Sequence, residues 1–463
     1  MNDRIPTGND RLDAILNGGL LKNAISLIVG VPGSGKTILS QQVAFHNGTV
    51  ERPALYLSTL SEPLDKILRY GEGLSFFDAA AVREGRVRYE DIGQPLGEGG
   101  LDEVLTAMDA FLRQYRPGIV VIDSFRAFHA MAPDVGVFRQ FLYGMLRRLS
   151  ATATTSIWNA PYGRAQAIDE AESAVADAVI ALDVRQTAER EVRVLQVLKL
   201  RGSDYRSGEH TYRITPGGLE VFPRLAEVQM DTKYELGAEP AATGIAALDD
   251  LLSAGGYWPG AATLVAGPSG IGKTLMGLHF LYHGARIGEP GILATFHENK
   301  TQLSRIVNSF GWSLDEPNVH VMARGVVNMD IDRWVYELFD LVERTGAKRV
   351  VVDSLPDLEI AAGDPIRFRE WIFSMMQRLA RSGVSLMMIL EVPGLFHIDR
   401  IAEHGVSHLA DNVILLQYVQ EGSELARALT VLKTRAMQHR PVVHRYEITD
   451  KGFQLGGVLS GPP

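Results

Sequence analysis

The stretch that decides the fold reads G-V-P-G-S-G-K-T from Gly30 to Thr37, and its pattern returns as G-P-S-G-I-G-K-T from Gly267 to Thr274. Both stretches fit G-x-x-x-x-G-K-T, in which a glycine-rich loop turns backbone N–H groups inward around a polyphosphate. Each follows an apolar, strand-like run and opens a helical pattern, which is the context that this loop requires. The chain therefore predicts two nucleotide-binding sites in a duplicated protein.

The residue types of each loop predict a division of tasks. We expect the backbone to hold the phosphates, the lysine to reach the β- and γ-phosphates, and the threonine hydroxyl to hold Mg²⁺. In the first half the nucleotide-binding residues are Gly30, Gly33, Ser34, Gly35, Lys36 and Thr37. In the second half they are Gly267, Ser269, Gly270, Ile271, Gly272, Lys273 and Thr274.

The bulk composition is ordinary for a globular protein of two domains. The chain has 463 residues, 46% of them hydrophobic and 22% charged, and this length exceeds that of one ordinary core. The formal net charge of −9 argues weakly against a dedicated nucleic-acid-binding surface, although a local basic channel is compatible with an acidic average. The sequence has no cysteine, which excludes disulfides and thiolate chemistry. No signal-peptide pattern or membrane-length apolar run is present, so we expect a cytoplasmic protein with no membrane partner.

The duplication extends beyond the loops and indicates the domain organisation. An apolar run that ends in Asp123 matches one that ends in Asp353, and an amphipathic helical pattern follows each. Strands that alternate with helices favour an α/β fold in which each domain has a mostly parallel sheet flanked by helices. We assign the first domain to residues 1–225, a linker to 226–240 and the second domain to 241–463.

The two aspartates at the ends of these runs are candidate metal residues. A strand-end carboxylate lies at the C-terminal edge of the sheet, where open α/β sheets bind their ligands. There it can orient the hydrated Mg²⁺ that bridges the phosphates, so we predict metal sites at Thr37 with Asp123 and at Thr274 with Asp353. The alternative is a solvated carboxylate that caps the following helix.

With these landmarks in place, the chain resembles the KaiC family of duplicated RecA-like ATPases. The resemblance covers nearly the whole chain, and its specific parts are the runs 274–282, 311–312 and 411–419 in the second half and 198–202 in the first. It implies two tandem RecA-like P-loop NTPase domains with ATP as the nucleotide. It also implies a homohexameric double ring with ATP at the subunit interfaces of each tier, and it is compatible with protein signalling partners. It does not make the chain a clock component.

Two pairs of basic residues recur at matching places. Lys199 and Arg201 lie on one face of a strand-like run because side chains alternate along a strand, and Lys433 and Arg435 repeat the arrangement. The resemblance implies that each pair reaches the γ-phosphate bound to a neighbouring subunit and stabilises charge on the transferring phosphoryl group. The alternative is a solvated basic strand end.

The chain departs from the family at the carboxylates that act on water. The family has adjacent glutamates after the strand that follows the P-loop helix, and one of them is implied to activate or orient the attacking water. Here the second half has His297 followed by Glu298, and the first half has one carboxylate, Glu62, displaced by about one position. We assign catalytic roles to Glu298 and Glu62; the alternative is a carboxylate favoured by a helix dipole. The displacement is compatible with slow hydrolysis in the first half.

The region of the family's phosphorylation sites also differs. Its adjacent serine–threonine pair is represented here by Ser407 and His408, so a two-site cycle is not expected. Single-site autophosphorylation of Ser407 and a plain interface serine both remain open, and we expect such a serine in the second half only. The leading hypothesis is a Mg²⁺-dependent ATPase that couples its nucleotide state to conformational signalling. The alternatives are a RecA- or helicase-like DNA motor and an ATP-bound scaffold with slow turnover.

Overall fold

The chain divides into two units, Met1–Arg224 and Leu225–Pro463. The structure, a computed structural model, describes residues 3–59, 64–187, 190–225, 239–252, 255–327, 329–392, 394, 406–435, 439 and 441–459. Most of the predicted linker, 226–240, lies outside these ranges, so the domain limits inferred from the sequence stay a prediction. None of the described helices is both long and apolar enough to cross a membrane.

The first unit alternates strands with helices. Its strands are β1 (Arg4–Ile5), β2 (Leu20–Leu21), β3 (Ile25–Gly30), β4 (Ala54–Ser58), β5 (Val87–Asp91), β6 (Ile119–Asp123), β7 (Thr155–Ala160), β8 (Ala178–Thr187), β9 (Arg190–Leu200), β10 (His210–Thr215) and β11 (Gly218–Phe222). Its helices are α1 (Asp10–Ile15), α2 (Lys36–Asn47), α3 (Leu64–Gly71), α4 (Ala79–Arg83), α5 (Gly93–Tyr115), α6 (Arg126–Met131), α7 (Val135–Ala151), α8 (Arg164–Ala167) and α9 (Ala171–Val175). Nine strands form one sheet in the order β11-β10-β9-β8-β3-β7-β6-β4-β5.

The second unit repeats this plan. Its strands are β12 (Ala262–Gly267), β13 (Gly291–Thr295), β14 (Val319–Ala323), β15 (Arg349–Asp353), β16 (Ser385–Glu391), β17 (Asn412–Glu421), β18 (Glu424–Thr434), β19 (His444–Thr449) and β20 (Gly452–Val458). Its helices are α10 (Ala246–Asp249), α11 (Lys273–Arg286), α12 (Lys300–Asn308), α13 (Ile331–Thr345), α14 (Leu355–Ala362) and α15 (Pro365–Arg381). The strand order is β14-β13-β15-β16-β12-β17-β18-β19-β20. Read from β20 to β14, it is the first sheet's order with each strand replaced by its counterpart.

The central strands are apolar on both faces because helices cover both faces of the sheet. On β6, Val121 packs in the core that contains Leu39 of α2, whereas Val120 packs in the core that contains Met108 of α5 and Phe138 of α7. The six strands from β8 to β5 pair in parallel, and β9, β10 and β11 extend the sheet by antiparallel pairing. The predicted fold of two RecA-like α/β domains is confirmed.

Parallel pairing brings the C-terminal ends of the central strands to one edge of each sheet. In the first sheet Ser58 lies opposite Asp123, and Asp123 lies opposite Asn159. In the second sheet Thr295 lies opposite Asp353. This edge also carries the two glycine-rich loops, since each loop directly follows a central strand. The fold therefore gathers the loop, the strand-end aspartate and the end of β4 or β13 at one place in each unit.

Candidate nucleotide-binding sites

Each glycine-rich loop joins a central strand to a helix that begins at the loop's lysine, Lys36 or Lys273. The glycines before these lysines, Gly35 and Gly272, have φ of 94° and 108°, a region that residues with a Cβ rarely adopt. A Cβ on Gly272 would also lie 2.8 Å from the Cδ1 atom of Ile448. Glycine is thus required where the loop turns to aim the first N–H groups of the helix at a phosphate.

The two lysines fold back over their own loops. Lys36 Nζ donates to the carbonyl oxygens of Gly30 at 2.7 Å and Val31 at 3.1 Å, and Lys273 Nζ donates to that of Pro268 at 2.7 Å. Burial lowers the pKa of both lysines, although nearby carboxylates oppose the shift. In the second half one of those carboxylates is Glu391, whose Oε2 lies 3.9 Å from Lys273 Nζ. Glu391, which ends β16, was not among the residues predicted from the sequence.

The predicted metal residues come together in both halves. Thr37 Oγ1 donates to Asp123 Oδ2 at 2.6 Å, and Thr274 Oγ1 donates to Asp353 Oδ2 at 2.6 Å. A hydroxyl beside a carboxylate supplies the hard oxygen atoms that Mg²⁺ prefers, so the residues present fit this ion. Burial is the main cause that raises the pKa of Asp353 to about 6.

The surroundings of the two aspartates differ between the halves. In the first half the hydroxyl of Tyr56 donates to Asp123 Oδ2 at 2.6 Å, so this oxygen accepts two hydrogen bonds. Tyr56 lies two residues before the residue of β4 that is opposite Asp123, and the residue at the same place in β13 is Leu293. A leucine side chain has no hydrogen-bond donor. The carboxylate of the first half is thus held more tightly by its own chain.

Of the two glutamates predicted to activate water, the structure describes one. Glu298 lies at the expected edge, where its Oε2 accepts a hydrogen bond of 2.6 Å from Thr295 Oγ1. Glu62 lies outside the described residues, so its place in the first site stays a prediction. Next to Glu298, His297 Nε2 lies 2.9 Å from the Oδ2 atom of Asp357, a partner that the sequence did not suggest.

The first basic pair lies at the end of β9 and contacts the segment just before β8. Lys199 Nζ donates to the carbonyl oxygens of Ser173 at 3.0 Å and Ala174 at 3.3 Å. Arg201 Nη2 donates to Ala174 at 3.0 Å, and its Nη1 lies 3.5 Å from Asp177 Oδ1. The structure therefore brings the two cations together on one loop.

The second pair repeats this arrangement with the segment before β17. Lys433 Nζ donates to the carbonyl oxygen of Ala410 at 2.6 Å, and Arg435 Nη2 donates to that of His408 at 2.8 Å. Arg435 Nη1 lies 3.5 Å from Asp411 Oδ1. Arg435 also lines a cavity of about 520 Å³, which borders α15 and the start of β12.

In each half, the basic pair and the glycine-rich loop lie at opposite ends of the central strands. Lys199 pairs with Val179 near the start of β8, and β8 runs parallel to β3 from Ser26 onward. The loop follows the other end of β3, which has six residues and therefore spans roughly 16 to 20 Å at about 3.3 Å per residue. The pair and the loop of one half do not come together.

Ser407 has a counterpart that the sequence analysis missed. The half-buried Ser407 precedes β17, and its carbonyl oxygen accepts a hydrogen bond of 3.3 Å from Lys433 Nζ. Ser173 precedes β8 in the same way, and its carbonyl oxygen is bound by Lys199. The expectation of a serine in the second half only is therefore wrong. Ser173 differs in being buried, with its hydroxyl donating to the Ala167 carbonyl. The shared pattern S-x-x-A-D-x-V-I could have revealed it.

Comparisons with known proteins agree with this duplicated geometry. The family model described as KaiC ATPase matches residues 5–226 and again residues 241–457. The circadian clock oscillator protein KaiC of Picosynechococcus sp. is 26% identical over 486 residues, which cover 99% of this chain and 92% of that protein. The circadian clock protein KaiC3 of Synechocystis sp. is 26% identical over 490 residues, covering 100% and 94%. The KaiC of Thermostichus vulcanus is 26% identical over 493 residues, covering 99% and 92%. Because the family model accounts for both halves, the chain belongs to the KaiC family of P-loop ATPases.

Proposed function

We propose that this protein is a Mg²⁺-dependent ATPase that assembles as a homohexameric double ring and couples ATP binding and hydrolysis to conformational signalling. One observation carries the proposal: each half holds its phosphate loop and its basic pair at opposite edges of the same sheet. A site that combines the loop and the basic pair of the same half needs a second copy of the chain. Head-to-tail contacts of this kind close into rings when the rotation between neighbours permits.

Within one chain, each glycine-rich loop and helix N-terminus binds the phosphates of ATP. Lys36 and Lys273 exchange their loop carbonyl partners for β- and γ-phosphate oxygens, as P-loop lysines do. Thr37 and Asp123, and in the second half Thr274 and Asp353, hold Mg²⁺. The ion neutralises charge on the phosphate oxygens when it is bound.

The neighbouring chain supplies the basic pair. The side chains of Arg201 and Arg435 are each 56% exposed, so their guanidinium groups are accessible to another molecule. Within the described part of the chain, each guanidinium has one carboxylate contact, at 3.5 Å, and an exposed ion pair of this length contributes little. A γ-phosphate is a stronger partner because the guanidinium can contact it with charge-assisted hydrogen bonds.

The same geometry supports roles for the remaining predicted residues. Glu298 orients the water that attacks the phosphoryl group, and Glu62 does so in the first half. Ser407 lies beside Lys433, because the lysine binds its carbonyl oxygen. If Lys433 meets the γ-phosphate of a neighbour, the Ser407 hydroxyl comes within reach of the same group. Ser407 is therefore the candidate for single-site autophosphorylation.

Native mass spectrometry with and without Mg-ATP, together with phosphate release, tests this function. We expect a hexamer with Mg-ATP and turnover that falls when Lys36→Ala and Lys273→Ala are combined. Denaturing mass spectra would show one added phosphate that Ser407→Ala removes. Failure to bind or hydrolyse ATP would refute the proposal. Strong stimulation by single-stranded DNA would favour a DNA motor instead, and ATP retention with negligible phosphate release would favour a scaffold.

A further inference from the structure

His297 and Asp357 form a dyad at the edge of the second nucleotide site. His297 lies two residues beyond β13, and its side chain is 63% exposed, whereas the Asp357 side chain is only 9% exposed. The His297 Nε2 atom lies 2.9 Å from Asp357 Oδ2, and Ser354 Oγ donates to the same oxygen at 2.7 Å. A buried carboxylate, itself held by a hydroxyl, therefore fixes the orientation of an accessible imidazole.

This contact also fixes which nitrogen of the ring can react. An ionised carboxylate only accepts hydrogen bonds, so Nε2 must carry the proton that faces Asp357. In the neutral ring Nδ1 then keeps its lone pair. In many enzymes a neighbouring group fixes the orientation of the side chain that acts as nucleophile or base. Here the Asp357 carboxylate orients the imidazole of His297 in the same manner.

The dyad lies where the γ-phosphate is expected. Thr295 lies opposite Asp353 in the sheet and binds Glu298, so the residues just after β13 border the strand-end aspartate. The charge of His297 lowers the pKa of Asp353, against the larger effect of burial, which places the imidazole within electrostatic range of that carboxylate. The ring thus has Asp357 as its direct partner and Asp353 within electrostatic range, and Asp353 in turn interacts with Glu298 and Lys273.

Both members of the dyad are specific to the second half. Counted from the ends of the matching strands, the first half has Leu60 in place of His297 and Ala127 in place of Asp357. The histidine and its carboxylate partner therefore distinguish the second half from the first.

We propose that Nδ1 of His297 accepts the γ-phosphoryl group of ATP bound to the second loop, which makes His297 a phosphorylation site. The proposal rests on the ATPase function proposed above. The Nδ1 lone pair forms a bond to phosphorus while the bond from phosphorus to the β–γ bridging oxygen breaks, and ADP leaves with that electron pair. The carboxylate of Asp357 stabilises the positive charge that develops on the ring. Water, oriented by Glu298, then attacks phosphorus, the P–N bond returns its electrons to Nδ1, and phosphate leaves.

The test uses rapid quenching of the full-length protein with γ-³²P-labelled Mg-ATP from the first turnover to the steady state. Phosphohistidine is stable in alkali and labile in acid, whereas phosphoserine is stable in acid. We expect alkali-stable, acid-labile label on the peptide that contains His297, reduced at least tenfold in His297→Gln. His320→Gln, a histidine of the edge strand β14, serves as the matched control and should label as the wild type does. Asp357→Asn should slow labelling while the KM for ATP stays unchanged, because Asp357 positions the ring and does not contact ATP.

A stereochemical measurement decides the case of an intermediate that decays too fast to trap. Two successive displacements at phosphorus give retention, and one direct displacement by water gives inversion. With chiral γ-thiophosphate ATP, the fraction of product formed with retention should equal the fraction of turnover that Lys273→Ala removes. Complete inversion, or ADP formation without acid-labile label and with unchanged turnover in His297→Gln, would overturn the proposal. Absence of ATP binding to the wild type would instead refute the ATPase function itself.

Discussion

Replacing Arg435 with alanine should separate catalysis from stability in the second half. The arginine donates one hydrogen bond to the His408 carbonyl, lies 3.5 Å from Asp411 Oδ1, and has a side chain that is 56% exposed. Exposed ion pairs of this kind contribute below about 1 kcal/mol, so the free energy of unfolding should change by no more than that. A guanidinium that reaches a γ-phosphate contributes about 10³- to 10⁵-fold in turnover, or roughly 4 to 7 kcal/mol. Catalysis should therefore collapse in a protein that remains folded.

The assay is steady-state phosphate release, restricted to the part of the turnover that Lys273→Ala removes. Denaturant unfolding of the same samples gives the stability change. Arg445→Ala is the matched control, since the Arg445 side chain is 45% exposed and forms an ion pair with Glu421 at 2.9 Å without belonging to the basic pair of Lys433 and Arg435. We expect the control to lose comparable stability and no turnover.

Mixing two inactive variants tests whether the arginine acts on a neighbour. In rings assembled from equal amounts of Arg435→Ala and Lys273→Ala chains, about a quarter of the interfaces combine an intact loop with an intact basic pair. Turnover should return to about a quarter of the wild-type level in such mixed rings. A mixture no more active than its components, after subunit exchange has been verified, would refute the assignment of the pair to the neighbouring chain.

Two further predictions concern stability. Burial raises the pKa of Asp332 to about 6. The Nη2 atom of Arg367, 2.7 Å from Asp332 Oδ2, opposes this shift without cancelling it. Because the folded state holds the proton more tightly, this carboxyl contributes stability below pH 4 that is lost by pH 6, roughly 3 kcal/mol for a shift of about two units. Urea unfolding across pH 4 to 6 should show this loss in the wild type, and a parallel slope in Asp332→Asn would contradict it. Gly272→Ala combines a φ of 108° with a Cβ 2.8 Å from Ile448, whereas Gly346→Ala has a φ of 66° and open space around the Cβ. Both should lose about 1 to 2 kcal/mol through the backbone, but only Gly272→Ala should abolish binding of a fluorescent ATP analogue.

The fold could be predicted because its signals are local. Each glycine-rich loop lies between a strand-like run and a helical pattern. The runs that end in Asp123 and Asp353 are rich in β-branched residues, which indicates buried strands. Parallel pairing then places the strand ends at one edge without any further information. The hydrogen bonds from Thr37 and Thr274 to these aspartates follow from that topology.

The contacts that the sequence did not suggest depend on the positions of loops. Asp357 is far from His297 along the chain, and the turn from β15 into α14 brings its carboxylate to the Nε2 atom of the ring. The hydroxyl of Tyr56 reaches Asp123 because two neighbouring strands share a register. Spacing along the sequence does not predict such contacts, because they depend on side-chain rotamers and on the conformation of short loops.

The two sheets have the same topology, but the side chains around the strand-end aspartates differ. In the first half Tyr56 adds a second hydrogen bond to the Oδ2 atom of Asp123. In the second half this donor is replaced by leucine, burial raises the pKa of Asp353 to about 6, and a histidine dyad and Glu391 lie near the phosphate position. These differences lie at the edge of the sheet that carries the strand-end aspartate, and one of them, Glu391, also lies 3.9 Å from the loop lysine Lys273. We infer that both halves bind ATP alike and that they diverge in what happens to the phosphoryl group.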